Sequence, residues 1–157
     1  MLVHPIPPVY DENSRVLILG SFPSVKSREQ GFFYGHPQNR FWRVTAAVFG
    51  EEVPGTVPAR RDFLLRNGIA RWAVIAACEI RGSADASIRS AAPNDLRPIL
   101  NAAPIRKICV NGQTAAKLYH RFAEPVTGRP AVTLPSTSPA NASWSLERLI
   151  EAWKVIR

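Results

Sequence analysis

Three short segments of the chain collect side chains that could do chemistry. The first is Gly20-Ser-Phe-Pro-Ser24. A glycine at its head permits a tight turn, and successive backbone N–H groups in such a loop hold an anion or a polarised water. It is not a phosphate-binding fingerprint, because G-x-G-x-x-G and G-K-[ST] are both absent. The second is Gly31-Phe-Phe-Tyr-Gly-His-Pro-Gln-Asn-Arg-Phe-Trp42. Aromatic side chains in a polar loop can stack on a nucleobase, although Phe32 and Phe33 read more readily as a roof over the core. His36 offers an acid or base, or a hydrogen bond that supports the loop. The Asn39 amide can orient a water or cap a helix. The third is Leu134-Pro-Ser-Thr-Ser-Pro-Ala-Asn-Ala142, stiffened by two prolines. Its small hydroxyl residues allow a phosphate backbone to come close, or build a local turn into a helix.

Other chemistries find little support. There is no G-x-S-x-G nucleophile elbow. None of the four lysines, Lys26, Lys107, Lys117 and Lys154, stands in a clearly desolvated setting, so no Schiff-base step is indicated. The two cysteines, Cys78 and Cys109, lie in separate apolar runs with no Cys-x-x-Cys pair. They read as buried small hydrophobes of a reducing cytoplasm, not as metal ligands or a disulfide framework. No metal and no cofactor are expected.

The elements that must hold these segments alternate in type. Arg15-Val-Leu-Ile-Leu-Gly20, Trp72–Cys78, Arg106–Asn111 and Pro130–Pro135 read as four strands, the first two buried. Asn39–Phe49, closed by Gly50, reads as a helix, as does Pro58–Asn67, closed by Gly68. Further helices are expected from an Asn94 cap to about Ala102, and from Gly112 to about Phe122. In the last helix Leu146, Leu149, Ile150, Trp153 and Ile156 mark one face. Alternation of this kind predicts an α/β fold, three-layer α/β/α, with a four-stranded, mostly parallel sheet. Ligands then bind outside the carboxyl ends of the strands. Segments 20–39, 78–94 and 135–142 leave those ends, and the first and last are the richest in unusual residues.

The 157 residues fit one domain, residues 1–157, and the 46% hydrophobic content is enough for a core. Net charge is +8, and sixteen of the twenty basic residues are arginine. Such a surface is drawn to phosphate backbones, for which the planar guanidinium is well suited. The first ten residues carry three prolines and no basic stretch before an apolar run, unlike a signal peptide. No apolar run approaches the roughly eighteen residues of a membrane span.

Taken together, the loops resemble those of the mismatch-specific uracil/thymine-DNA glycosylases and their hypoxanthine-DNA glycosylase relatives in the uracil-DNA glycosylase superfamily. The resemblance rests on Gly20-Ser-Phe-Pro-Ser24, Gly35-His-Pro-Gln-Asn-Arg-Phe-Trp42, Leu134-Pro-Ser-Thr-Ser-Pro139 and Ser145-Leu-Glu-Arg-Leu-Ile-Glu-Ala-Trp153. It covers essentially the whole chain, and His-Pro-x-Asn-Arg-Phe-Trp is its specific part. It implies hydrolysis of the N-glycosidic bond of a flipped nucleotide in DNA, without metal or cofactor.

The resemblance also assigns residues. Mismatch-specific enzymes carry a catalytic asparagine just before the proline of the first loop, where this chain has Phe22. In the hypoxanthine branch the loop likewise reads Gly-Ser-Phe-Pro and the asparagine of His-Pro-x-Asn serves instead, which points to Asn39. Tyr34 aligns with the aromatic that stacks on the flipped base. Ser21, Phe22, Pro23 and Ser24 would line the base pocket, with Cys78 where uracil-directed relatives have an asparagine. Gly20 and His36 would support the loop. Ser136, Thr137 and Ser138 match the loop that pinches the DNA backbone, and the wedge position falls at Ala140 or Asn141. The expected activity is that of a monofunctional, monomeric, cytoplasmic glycosylase excising hypoxanthine. Excision of mispaired uracil or thymine, and a non-catalytic nucleic-acid-binding module, remain the alternatives.

Overall fold

The computed structural model describes residues 2–3, 6–23, 27–28, 31–79 and 89–157, with only the backbone of residues 2, 3, 78, 79, 89 and 90. Four strands form a wholly parallel sheet in the order β3-β2-β6-β7: β2 Val16–Gly20, β3 Ile69–Ala73, β6 Lys107–Asn111 and β7 Val132–Leu134. Three more strands, β1 Leu2–Val3, β4 Ile75–Glu79 and β5 Arg89–Pro93, form a small antiparallel sheet in the order β1-β4-β5. The helices are α1 Phe41–Phe49, α2 Val57–Arg66, α3 Arg97–Ala102, α4 Gln113–Leu118, α5 Glu124–Thr127 and α6 Leu146–Trp153. A wider π-type turn, Tyr119–Ala123, joins α4 to α5.

The central strand explains the layers. Along β2 the side chains alternate: Val16 and Ile18 pack into one cluster, Leu17 and Leu19 into the other. The first cluster holds Phe41 and Trp42 of α1, Phe63 and Leu64 of α2, and Leu149 and Trp153 of α6. The second holds Ile99 of α3, Ala115 of α4 and Tyr119. A strand covered on both faces must be apolar at every position, which is why residues 16–19 read as a continuous run. Burying each of these side chains contributes about 1.5–3 kcal/mol.

Two expectations about strands need correction. The apolar run Trp72–Cys78 is not one strand. It begins earlier, at Ile69, and breaks at Val74, where the chain leaves the parallel sheet for the antiparallel one. The Val74 N–H donates to the Gly20 carbonyl and the Ile75 N–H to the Ser21 carbonyl, at 2.8 and 3.0 Å. An apolar run reads the same in either sheet; the change of partner is invisible in it. β7 is confined to Val132–Leu134 because the flanking Pro130 and Pro135 have no N–H for the ladder.

The helix starts also differ by a few residues. Thr56 caps α2 through its hydroxyl, and α3 starts at Arg97, not beside Asn94. Asn94 instead ties down the strand break: its Nδ2 donates to the Ala73 carbonyl and its N–H to the Val74 carbonyl, both at 2.8 Å.

The strand order identifies the functional end of the sheet. From β2 the chain moves outward to β3, then returns past β2 to β6 and β7. The order therefore reverses between β2 and β6, and in open parallel sheets the crevice beyond that point is the ligand site. Its floor is Gly20 at the end of β2 and Asn111 at the end of β6.

Candidate active site

Three loops meet above that floor, and one buried side chain joins them. Thr137 is fully buried. Its hydroxyl donates to Asn39 Oδ1 at 2.9 Å and accepts from Asn111 Nδ2 at 3.0 Å. Its backbone N–H donates to Asn111 Oδ1 at 3.1 Å, and its carbonyl accepts the Arg40 N–H at 3.0 Å. Asn111 Nδ2 also donates to the Tyr34 hydroxyl at 2.9 Å. The loop 31–40, the end of β6 and the loop 135–142 thus share one hydrogen-bond network.

Asn39 is half-buried at the mouth of this network. Its Oδ1 accepts two hydrogen bonds, from Thr137 and from the Phe41 N–H, the latter at 2.9 Å. A backbone N–H can only donate, so the oxygen assignment is fixed. The Nδ2 group has no partner among the described residues, and it is the group left to meet a water or a substrate. Asn39 therefore ties down the start of α1, bonding the Phe41 N–H from the position before the N-cap residue Arg40, and presents an amide N–H to the site.

Arg40 turns inward. Its guanidinium donates to the Asn141 carbonyl at 2.9 Å, the Ser138 carbonyl at 3.4 Å and the Trp144 carbonyl. It clamps the 137–144 loop and is not free for phosphate. His36 supports its loop: Nδ1 accepts from the Gln38 N–H at 3.1 Å, and its carbonyl from the Asn39 N–H at 3.0 Å. Phe32 and Phe33 are buried and roof the core.

Tyr34 differs from its expected role. Its ring stacks on Phe41 with centroids 4.1 Å apart and interplanar angle 18°. The Arg71 guanidinium carbon lies 4.5 Å from the same ring's centroid. Two groups that close to one centroid cannot share a face, so both faces of Tyr34 are taken. It cannot stack on a base in this arrangement; its hydroxyl is what it offers. The residue also has φ 54°, a left-handed conformation that costs a non-glycine residue energy and is kept only where surroundings impose it.

The third loop also needs correction. Thr137, expected at the DNA backbone, is buried with its polar atoms bonded inward, so it cannot touch DNA. Asn141 is half-buried and its Nδ2 closes its own loop on the Ser136 carbonyl at 3.0 Å. Pro139 and Ala140 form the exposed tip, and Ser138 is half-buried beside them. Ser136, Ser138, Ala140 and Asn141 line an open groove of about 740 Å³ with Gly112 and Gln113. A Cβ at Gly112, which has φ +95°, would lie 3.1 Å from Ser136 Cβ, so only glycine lets the two loops close.

In the first loop Ser21, Phe22 and Pro23 are buried beside the end of β2. The Arg28 guanidinium carbon is 5.4 Å from the Phe22 ring centroid. Ser24 and the side chain of Cys78 lie outside the described residues. Gly20 has no positive φ, so a tight turn is not its reason for being glycine. A Cβ there would stand 2.6 Å from Arg71 Nη2, so the glycine admits a guanidinium. Sequence reasoning missed Arg71 as well as Asn111. Asn111 had one usable signal: it is the last residue of a buried parallel strand, where such sites lie.

The site loops contain no Asp or Glu between residues 31 and 42 or between 134 and 144. Among the described residues of these two loops the chemistry on offer is positioning by amides and hydroxyls.

With this geometry in place the family follows. Residues 7–157 match the model of the uracil DNA glycosylase superfamily. The chain belongs to the uracil DNA glycosylase superfamily. A hypoxanthine DNA glycosylase from Methanosarcina acetivorans is 34% identical over 161 residues, covering 99% of this chain and 98% of the relative. A hypoxanthine DNA glycosylase from Methanosarcina barkeri is 34% identical over 140 residues, covering 86% of this chain and 85% of the relative. The solution NMR structure of a candidate uracil DNA glycosylase from Methanosarcina acetivorans superposes with a TM-score of 0.84 at 34% identity, covering 100% of this chain and 98% of that one. The three-layer arrangement around a four-stranded parallel sheet is that superfamily's fold. No described helix of this glycosylase-superfamily chain is long and apolar enough to cross a membrane.

Proposed function

We propose that this chain is a monofunctional DNA glycosylase that excises hypoxanthine, the deaminated form of adenine, from DNA. The observation that carries the reading is the Asn39 amide, locked by two accepted hydrogen bonds at the junction of three loops with its N–H group left over. Similarity to two hypoxanthine DNA glycosylases, over 99% and 86% of this chain, supports the choice of base.

On this reading the nucleotide is flipped into the crevice beyond Gly20 and Asn111. Flipping costs a few kcal/mol, least at a mispair. Ser21, Phe22 and Pro23 line the base pocket. Bond breaking runs ahead of attack, giving an oxocarbenium-like sugar. Asn39 then needs only to hold a water against that sugar, because a near-attack position supplies much of the rate. Ser136, Ser138 and Ala140 meet the DNA backbone, and Arg40 holds their loop in shape. We take the active form to be a monomer in the cytoplasm.

Oligonucleotide duplexes carrying a single hypoxanthine, uracil or mispaired thymine test the proposal. An abasic product from hypoxanthine is the expected result. Product from uracil or thymine alone transfers the specificity, and no product from any of them leaves only a DNA-binding module. Asn39→Ala removes the bonds to the Phe41 N–H and Thr137 along with the amide, so Asn39→Asp is the sharper variant. It keeps an oxygen for Phe41 and Thr137 but replaces the free N–H group. Its expected result is a wild-type melt with excision lost; unchanged excision would remove Asn39 from the chemistry.

A further inference from the structure

Arg71 is the charged residue that the described core encloses: it is 4% exposed. It lies on β3 opposite Ile18. Its guanidinium carbon sits 4.5 Å from both the Phe33 and the Tyr34 ring centroids. Nε and Nη1 are buried and have no hydrogen-bond partner. Among the described residues no carboxylate faces it, and the Tyr34 hydroxyl is the group beside it that favours its charge. Burial works against the charged form, yet a guanidinium keeps its proton inside proteins. Two aromatic rings and the Tyr34 hydroxyl offset part of its burial, but a buried cation with no carboxylate partner among the described residues is still unfavourable for folding. Replacing it by an apolar side chain of similar length would relieve that penalty.

The fold goes out of its way to house it. A Cβ at Gly20 would stand 2.6 Å from Nη2, so the first residue of the site loop has no side chain where this cation passes. The neighbouring Tyr34 is held in a left-handed conformation between Arg71 and Phe41. Its hydroxyl leads through Asn111 and Thr137 to Asn39. The charge therefore lies directly beneath the end of β2 and at one end of the network that fixes the catalytic candidate.

We propose that Arg71 is a fixed positive charge that holds Tyr34 in place and stabilises the base anion as it leaves. The inference rests on the glycosylase reading above. In that reaction the C1′–N9 bond breaks and its electron pair goes to the purine. Water oxygen bonds to C1′, and the proton it loses is balanced by the proton the free base gains. Negative charge thus builds on the base in a site of low dielectric, where a preorganised charge is worth far more than in water. Arg71 touches no reacting atom; it acts through its field and through Tyr34.

Single-turnover excision of hypoxanthine by wild type, Arg71→Met and Arg71→Lys tests this, with melts and with affinity for a duplex bearing a tetrahydrofuran abasic analogue. The Met variant is expected to lose about 100-fold in rate, the scale of one lost electrostatic stabiliser. Its melting temperature is expected at or above wild type and its duplex affinity unchanged. A lysine ammonium enclosed here gives up its proton far more readily than a guanidinium, so Arg71→Lys is expected to approach the wild-type rate at low pH and to fall toward the Met variant as pH rises. A Met variant as fast as wild type, or a Lys variant whose rate relative to wild type does not rise as pH falls, overturns the proposal. If Arg71→Met does not fold, Gly20→Ala, which displaces the guanidinium, carries the test. A rate at least tenfold lower at equal affinity is expected, on the same electrostatic scale, and an unchanged rate overturns the proposal. Wild-type protein that excises no base refutes the glycosylase reading instead, which separates the two failures.

Discussion

Every polar atom of Thr137 is committed, two bonds to Asn111 at the end of β6 and two to Asn39 and Arg40 of the neighbouring loop. Valine at this position keeps the shape and deletes the hydroxyl, leaving Asn39 Oδ1 and Asn111 Nδ2 one partner short. Each keeps its second bond, to the Phe41 N–H and the Tyr34 hydroxyl, so the cost is that of two lost hydrogen bonds, about 1–3 kcal/mol. Thr137→Val should therefore lower stability by that amount in denaturant unfolding and slow excision, while Thr137→Ser should retain most of both. Cys109 gives a prediction of a different kind. Burial pushes its thiol from 9.0 up to about 11. A raised pKa means that the unfolded chain ionises first. Stability is therefore held below pH 9.0 and falls as pH rises toward 11. The fall should be smaller in Cys109→Ala, measured by unfolding at pH 8 and pH 10.5. At pH 8 native Cys109 should resist alkylation in peptide-mapped labelling until the protein unfolds; labelling at the unfolded rate would contradict its burial.

At the scale of elements, the ends of helices carry the site as much as their bodies do. The Ser145 hydroxyl accepts from the Arg148 N–H and starts α6. Trp153, on the buried face of that helix, donates from Nε1 to the Pro135 carbonyl at 3.0 Å. Ser145→Ala should cost about 1 kcal/mol. The loss should also reach the 135–142 loop, seen as weaker binding to duplex with or without a damaged base. A melt unchanged within error would show that the cap contributes nothing. Gly112→Ala faces both a left-handed φ and the Ser136 side chain. A cost of about 1–3 kcal/mol is expected, with Gly128→Ala as the comparison, since nothing lies within 4 Å of a Cβ there. The elements themselves were largely legible. The apolar run of β2 and the spaced face of α6 each encode burial locally. The split of residues 69–79 between two sheets was not, because apolar runs name no partner.

For the whole molecule, the net charge of +8 is a statement about encounter, not about fold. Binding to intact duplex should weaken steeply between about 50 and 200 mM salt, since each neutralised phosphate releases counterion. Discrimination of a hypoxanthine-containing duplex should change far less with salt, because it comes from the flipped base. A fluorescence anisotropy titration at several salt concentrations checks both. Individual arginines do not share this duty equally: Arg40 clamps a loop, and Arg71 is enclosed.

Composition, periodicity and loop residues by themselves determined the α/β class, the strand ends at which a site must lie, and that the Asn39 amide could orient a water or bond a helix start; its catalytic role came from the family resemblance. Those are local properties: each residue's own polarity and its spacing from near neighbours suffice. Only the tertiary structure decided that Tyr34 has no free face, that Thr137 is a hub and not a DNA contact, that Asn111 belongs to the site, and that Gly20 is glycine to admit Arg71. Each of those depends on segments dozens of residues apart meeting in one place. The pattern of a sequence encodes that a side chain is buried, but not which distant group is buried against it.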